Sequence, residues 1–162
     1  MTDAGAVARF FRGDRFARSV GIRLEEVRPG YARARMRAGE RHLNAVDVVQ
    51  GGAIFTLADF VFAACSNSHG NVAVAVSVSI QYVRAGRRGP LVAEAVEVAV
   101  SPKLSSVEVK VADGKGELVA IFTGLAYRKR ETLAEVAAGR RVSSAGRRRR
   151  GRAASRPRAP RG

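Results

Sequence analysis

The chain has 162 residues and a 46% hydrophobic fraction, which suits one domain with a single core. Its one cysteine, Cys65, excludes an internal disulfide and a cysteine-based metal cluster. No uninterrupted apolar run reaches the roughly 18 residues of a membrane span. The net charge of +15 suggests nucleic acid, yet ten of the arginines, and no acid, fall between Gly139 and Gly162. The excess charge therefore belongs mostly to the tail. The first residues carry charges throughout and lack the apolar centre of a secretory signal, so the expected location is cytoplasmic.

In chain order, Ala6 to Ser19 reads as a short helix with Val7, Phe10, Phe11 and Phe16 on one side. Ile22–Val27 and Tyr31–Met36 read as a β-hairpin, because Pro29-Gly30 is a turn signal. A polar loop runs from Gly39 to Gln50. Gly51 to Asn67 is expected to be a helix hydrophobic nearly all round, and hence buried. Val72 to Val83 alternates strictly, with Val72, Val74, Val76, Val78, Ile80 and Tyr82 on one face. Strands are expected over Leu91–Val100, Leu104–Val111 and Leu118–Tyr127, with a turn at Asp113–Gly116. This order predicts an α+β domain over residues 1–130, a long antiparallel sheet wrapped around one central buried helix. Residues 131–162 are expected to form an Arg-rich tail. From Gly139 onward it holds too little apolar surface to offset its ordering entropy, and disorder is expected there.

Asp59 is the only Asp, Glu, Lys or Arg between Asp47 and Arg84, and it lies within the apolar helical run. A carboxylate there loses hydration and requires either a partner or a task. Eight residues earlier, the Gly51-Gly52 pair opens the helix. Its free N–H groups and dipole suit an oxyanion or a polarised carbonyl, and glycine permits close approach of a substrate. The two features stand about 12 Å apart along the axis, too far for one reacting centre. Two such helices antiparallel across a two-fold axis would bring Gly51 of one chain to Asp59 of the other. The geometry predicts active sites at a dimer interface.

The stretch HLNAVDVVQGGAIFTLADFVFAACSNSHGNVAVAVSVSIQYVRAG resembles the hotdog-fold acyl-CoA thioesterases, specifically the phenylacetate-degradation (PaaI-like) branch. The likeness covers about residues 15 to 129. It rests on the placement of Leu57-Ala58-Asp59 relative to Gly51-Gly52 and Asn44. The resemblance implies hydrolysis of an acyl- or aryl-CoA thioester, with Asp59 as nucleophile or general base. It also implies that the Gly51 N–H polarises the thioester carbonyl and that Asn44 positions the reacting groups. Gln50 stands where this branch usually carries histidine, a departure, since glutamine cannot take up a proton near neutral pH. The family often pairs dimers into tetramers, and its hydrolysis needs neither metal nor bound cofactor, coenzyme A being part of the substrate.

Phe60, with Phe55 and Phe62, is a candidate lining for an acyl pocket. Arg84, Arg87, Arg88 and Lys103 are candidates for the coenzyme A phosphates. Each residue also has a plainer role: Asn44 as a turn former, the phenylalanines as core, the cations as solvated surface. His42 and His69 lack a third ligand at plausible spacing, so no metal site is expected. The Gln50 departure leaves a competing function, acyl-CoA binding without turnover. For the tail the alternative is nonspecific contact with nucleic acid through phosphate neutralisation.

Overall fold

A computed structural model describes residues 4–139. The Arg-rich segment expected to be disordered lies almost wholly outside them. Six strands form one antiparallel sheet, β1 (Ile22–Arg28), β2 (Tyr31–Ala38), β3 (Asn71–Tyr82), β4 (Gly89–Val100), β5 (Leu104–Asp113) and β6 (Leu118–Thr132). Their order across the sheet is β1-β2-β4-β5-β6-β3. Two helices, α1 (Ala4–Arg12) and α2 (Arg15–Ser19), precede the sheet, and α3 (Gly51–Ser66) lies between β2 and β3. A helical segment over 133–139 follows β6 and buries Leu133. No helix among the described residues is long and apolar enough to cross a membrane.

The helix expected from Ala6 to Ser19 is two helices. The chain breaks at Gly13, and Asp14 restarts it as the N-cap of α2, its Oδ1 accepting from the Ala17 N–H at 2.9 Å. The break moves Phe16 off the face shared by Val7 and Phe11, and Phe16 is 64% exposed. The β1–β2 turn forms as expected, with Gly30 at φ 73°, a conformation that glycine adopts without strain.

The central helix starts at Gln50, the N-cap, and ends at Asn67. Asn67 closes the C-terminus twice: its side-chain amide donates to the Ala63 and Ala73 carbonyls and its Oδ1 accepts from the Ala73 N–H. Ile54, Leu57, Ala58, Val61, Phe62, Ala64 and Cys65 are buried against the sheet with Met36, Leu91, Val109 and Phe122. Gly124 makes room for this packing. A Cβ there would sit 2.5 Å from the Phe62 ring. We therefore expect Gly124→Ala to cost about 1–3 kcal/mol by overpacking, read as a lower midpoint in urea unfolding.

The strict alternation expected of β3 is interrupted. Its pairing with β6 slips between Ala75 and Ser77, leaving Val76 as a bulge. Directly paired residues share a face. Val74, opposite exposed Tyr127, therefore faces away from the helix, while Val78, Ile80 and Tyr82, opposite Gly124, Phe122 and Ala120, face toward it. Among the described residues β3 pairs on one side only, leaving a free edge flanked by exposed Val74, Val76 and Val78.

Candidate active site

The loop before α3 is pinned at several points. His42 Nδ1 accepts from the Gly39 N–H at 3.0 Å, so its Nε2 carries the proton and meets the Val20 carbonyl at 2.9 Å. Gln50 N–H donates to the His42 carbonyl at 2.8 Å. Asn44 Oδ1 accepts from Val46 N–H at 3.0 Å and from Val48 N–H at 3.3 Å, so its side chain shapes the turn. The loop is thereby a rigid lead into the helix.

At the helix start, Gln50 Oε1 accepts from the Gly52 N–H as a side-chain cap. Among the described residues the Gly51 N–H meets no acceptor, while the Gly51 carbonyl accepts from the Tyr82 hydroxyl at 2.9 Å. Tyr82 packs over Gly51 so closely that a Cβ there would stand 3.2 Å from its ring. Sequence reasoning did not single out this tyrosine. The signal available was its position as the last inward-facing residue of β3. The β3–β4 crossover passes the same helix end, Val49 N–H donating to the Gly86 carbonyl at 2.9 Å. A cleft of about 350 Å³ opens between them, lined by Val48, Gly51, Ile54, Tyr82, Arg84 and Gly86 among others.

Asp59 lies two turns further on, on a stripe of α3 that the sheet does not cover. Gly52, Phe55, Thr56, Asp59 and Ala63 recur at three- and four-residue spacing and stay partly or fully open, so the helix is not buried on all sides within one subunit. Its carboxylate has no hydrogen-bond donor and no ion-pair partner among the described residues. Burial pushes its pKa up, and Asp14, at the start of α2, adds to the rise. The folded chain therefore holds a proton here that the unfolded chain has released, and stability falls as pH rises from 3.8 through the raised value. Asp59→Asn should raise the unfolding temperature by a few degrees at pH 7, the gain closing as pH approaches 4. Thermal unfolding of both proteins across that range checks it. A less stable Asn variant would mean that Asp59 has a donor which this geometry lacks.

The other candidates are more dispersed. Gly52, exposed, has its N–H engaged by Gln50. Phe60 is buried edge-on against Phe11, with centroids 5.9 Å apart, and lines a different cavity, beneath α1 and α2. Arg84 and Arg88 flank the α3 end but are ion-paired, with Glu117 and Glu40 respectively. Arg87 is exposed between them. Lys103 follows the far end of β4, roughly 40 Å along the strand from Arg88, so one subunit does not gather the four cations. Among the described residues no three His, Cys, Asp or Glu side chains cluster closely enough for a metal.

A helix laid in an antiparallel sheet, with a glycine-rich N-terminus beside a cleft and a lone carboxylate on its open face, is a hotdog-type architecture. Residues 47–120 match the thioesterase superfamily. A putative esterase of Archaeoglobus fulgidus is 40% identical over 122 residues, 75% of this chain and 79% of that protein. The acyl-coenzyme A thioesterase PaaI of Escherichia coli K12 is 29% identical over 73% of this chain and 85% of its own length. The structure of the E. coli PaaI protein covers 80% of this chain and 97% of that one with a TM-score of 0.76 and 27% identity. A Streptococcus mutans UA159 protein solved bound to acetyl CoA covers 69% of this chain and 91% of that one, with a TM-score of 0.66 and 25% identity. The chain belongs to the thioesterase superfamily, as a PaaI-like thioester hydrolase of hotdog fold.

Proposed function

We propose that this protein hydrolyses an acyl- or aryl-CoA thioester to the free acid and coenzyme A, with Gly51 of one subunit and Asp59 of another forming each site. The observation that carries this reading is the half-buried Asp59 carboxylate, without a donor among the described residues, on the open stripe of a helix whose first N–H, at Gly51, is likewise without an acceptor among them. Both groups keep hydrogen-bonding capacity that a substrate and a second subunit would use. The similarity to E. coli PaaI and to the acetyl-CoA-bound S. mutans protein supports the coenzyme A thioester as substrate.

The free β3 edge supports the dimer. A twelve-residue strand with valines exposed on both faces invites pairing with a second copy, which would continue the sheet and lay the two α3 helices side by side. The thioester carbonyl then accepts from the Gly51 N–H, which stabilises the oxyanion as the carbonyl carbon becomes tetrahedral. As general base, Asp59 takes a proton from water while its oxygen attacks that carbon. The C–S bond breaks, and the thiolate leaves and is protonated. As nucleophile, Asp59 forms a mixed anhydride with loss of the thiolate, and water then hydrolyses it. Gln50 takes no part in proton transfer, its oxygen being the helix cap.

That same cap favours the second reading, an acyl-CoA binder without turnover. Thiol release from a panel of acyl- and aryl-CoA esters separates the two. Hydrolysis of any member above the uncatalysed rate, lost in Asp59→Asn, supports the enzyme. Saturable binding with no thiol released would leave only the binder.

A further inference from the structure

Of the α3 phenylalanines that could line an acyl pocket, the structure sets two aside. Phe60 lines the separate cavity beneath α1 and α2, and Phe62 is sealed in the core against Gly124. Phe55 is different. It is half-buried, packs edge-on against Phe122 with centroids 5.5 Å apart, and is the one bulky apolar member of the open stripe, beside Gly52, Thr56, Asp59 and Ala63. Neither catalytic step uses it.

Phe55 lies midway between Gly51 and Asp59 in the chain, about one turn of α3 from each. When Gly51 of one helix faces Asp59 of its antiparallel partner, the midpoint of the stripe faces itself. Phe55 then meets Phe55 of the partner subunit on the two-fold axis. Each thioester carbonyl lies roughly 6 Å along the inter-helix groove from that pair. The cleft beside Tyr82, Arg84 and Gly86 opens at the start of α3, so the pantetheine arm of coenzyme A leaves on that side. The acyl group, on the other side of the carbonyl carbon, points inward along the groove. The first bulky side chains it reaches are the two Phe55 rings, each backed by buried Phe122.

Resting on the shared-site thioesterase reading, we propose that Phe55 is a specificity-determining residue, its paired rings stopping the acyl chain at the two-fold axis and limiting both sites to short chains. The test is the ratio of kcat/KM for decanoyl-CoA to that for butyryl-CoA, in the parent and in Phe55→Ala, Phe55→Leu and Phe62→Leu. The parent should favour butyryl-CoA, and shortening Phe55 should raise the ratio about tenfold or more by opening the groove past the axis. Phe55→Leu keeps the comparison readable should the Ala variant fail to fold without its packing on Phe122. Phe62→Leu loosens the same Phe122 contact from inside the core and should leave the ratio unchanged. A parent that hydrolyses decanoyl-CoA as readily as butyryl-CoA overturns the proposal and leaves the thioesterase reading standing. So does a parent that cleaves other esters of the panel but neither of these two. An unchanged ratio in the Phe55 variants, or an equal rise in Phe62→Leu, also overturns it, the latter assigning the effect to a loosened core. If no ester of the panel is hydrolysed, the thioesterase reading and this proposal fall together.

Discussion

Replacing Asp59 by Asn or Ala should lower kcat on the order of 10³-fold or more while leaving the fold and the assembly unchanged. The expectation follows from its surroundings. No hydrogen bond or ion pair holds this side chain among the described residues, so its removal breaks no structural contact. It stands on the one stripe of α3 that the sheet leaves open, beside Phe55 and Thr56. Asn keeps the shape but can neither attack a carbonyl as an oxyanion nor accept a proton from water near neutral pH. Thiol-release kinetics on the variant, paired with circular dichroism and a molar mass in solution, measure both halves. Parental kcat in a folded Asn variant would remove Asp59 from the mechanism.

Gly51→Pro should cost about 10²–10³-fold in kcat, the loss expected when one oxyanion donor is deleted. Proline removes the N–H donor. At the first position of a helix it breaks no intrahelical bond and its fixed φ suits the helix. The preceding Gln50, at φ −60° and ψ 134°, already has the extended conformation that a following proline requires. The added ring atoms crowd Tyr82, whose ring and hydroxyl lie 3.2 Å from a Cβ at this position. Gly51→Ala is the control, since it adds the same Cβ and keeps the N–H. A large loss in the Pro variant with a small one in the Ala variant assigns the effect to the donor. Equal losses would assign it to crowding.

Much of this architecture was legible in local signals. The Gln50-Gly51-Gly52 turn signal marked the start of α3, and the apolar run marked its length. Asp59 stood out because nothing charged surrounds it in the chain. The hairpin at Pro29-Gly30 followed from turn chemistry. Long-range facts were less accessible. Asp14 caps α2 and lies near Asp59 although 45 residues separate them, so no periodicity could reveal the pair. The bulge at Val76 reverses which valines of β3 face the helix, and the sequence there still alternates. The Tyr82 hydroxyl reaches Gly51 only because β3 runs back along α3. Arg84 and Arg88 read as free cations until the fold brought Glu117 and Glu40 beside them. Their pairing favours a role in pinning the crossover.

The account turns on each site being shared between two chains, because the rise of α3 keeps Gly51 and Asp59 of one chain apart. Co-expressing Asp59→Ala and Gly51→Pro chains with different affinity tags, and purifying the species that carries both, tests this most directly. One site of that heterodimer combines the intact Gly51 of the first chain with the intact Asp59 of the second, and the other site carries both lesions. It should recover about half the parental activity per dimer, although each homodimer is nearly inactive. A heterodimer no more active than the two homodimers would place Gly51 and Asp59 in the same subunit's site and contradict the shared-site account.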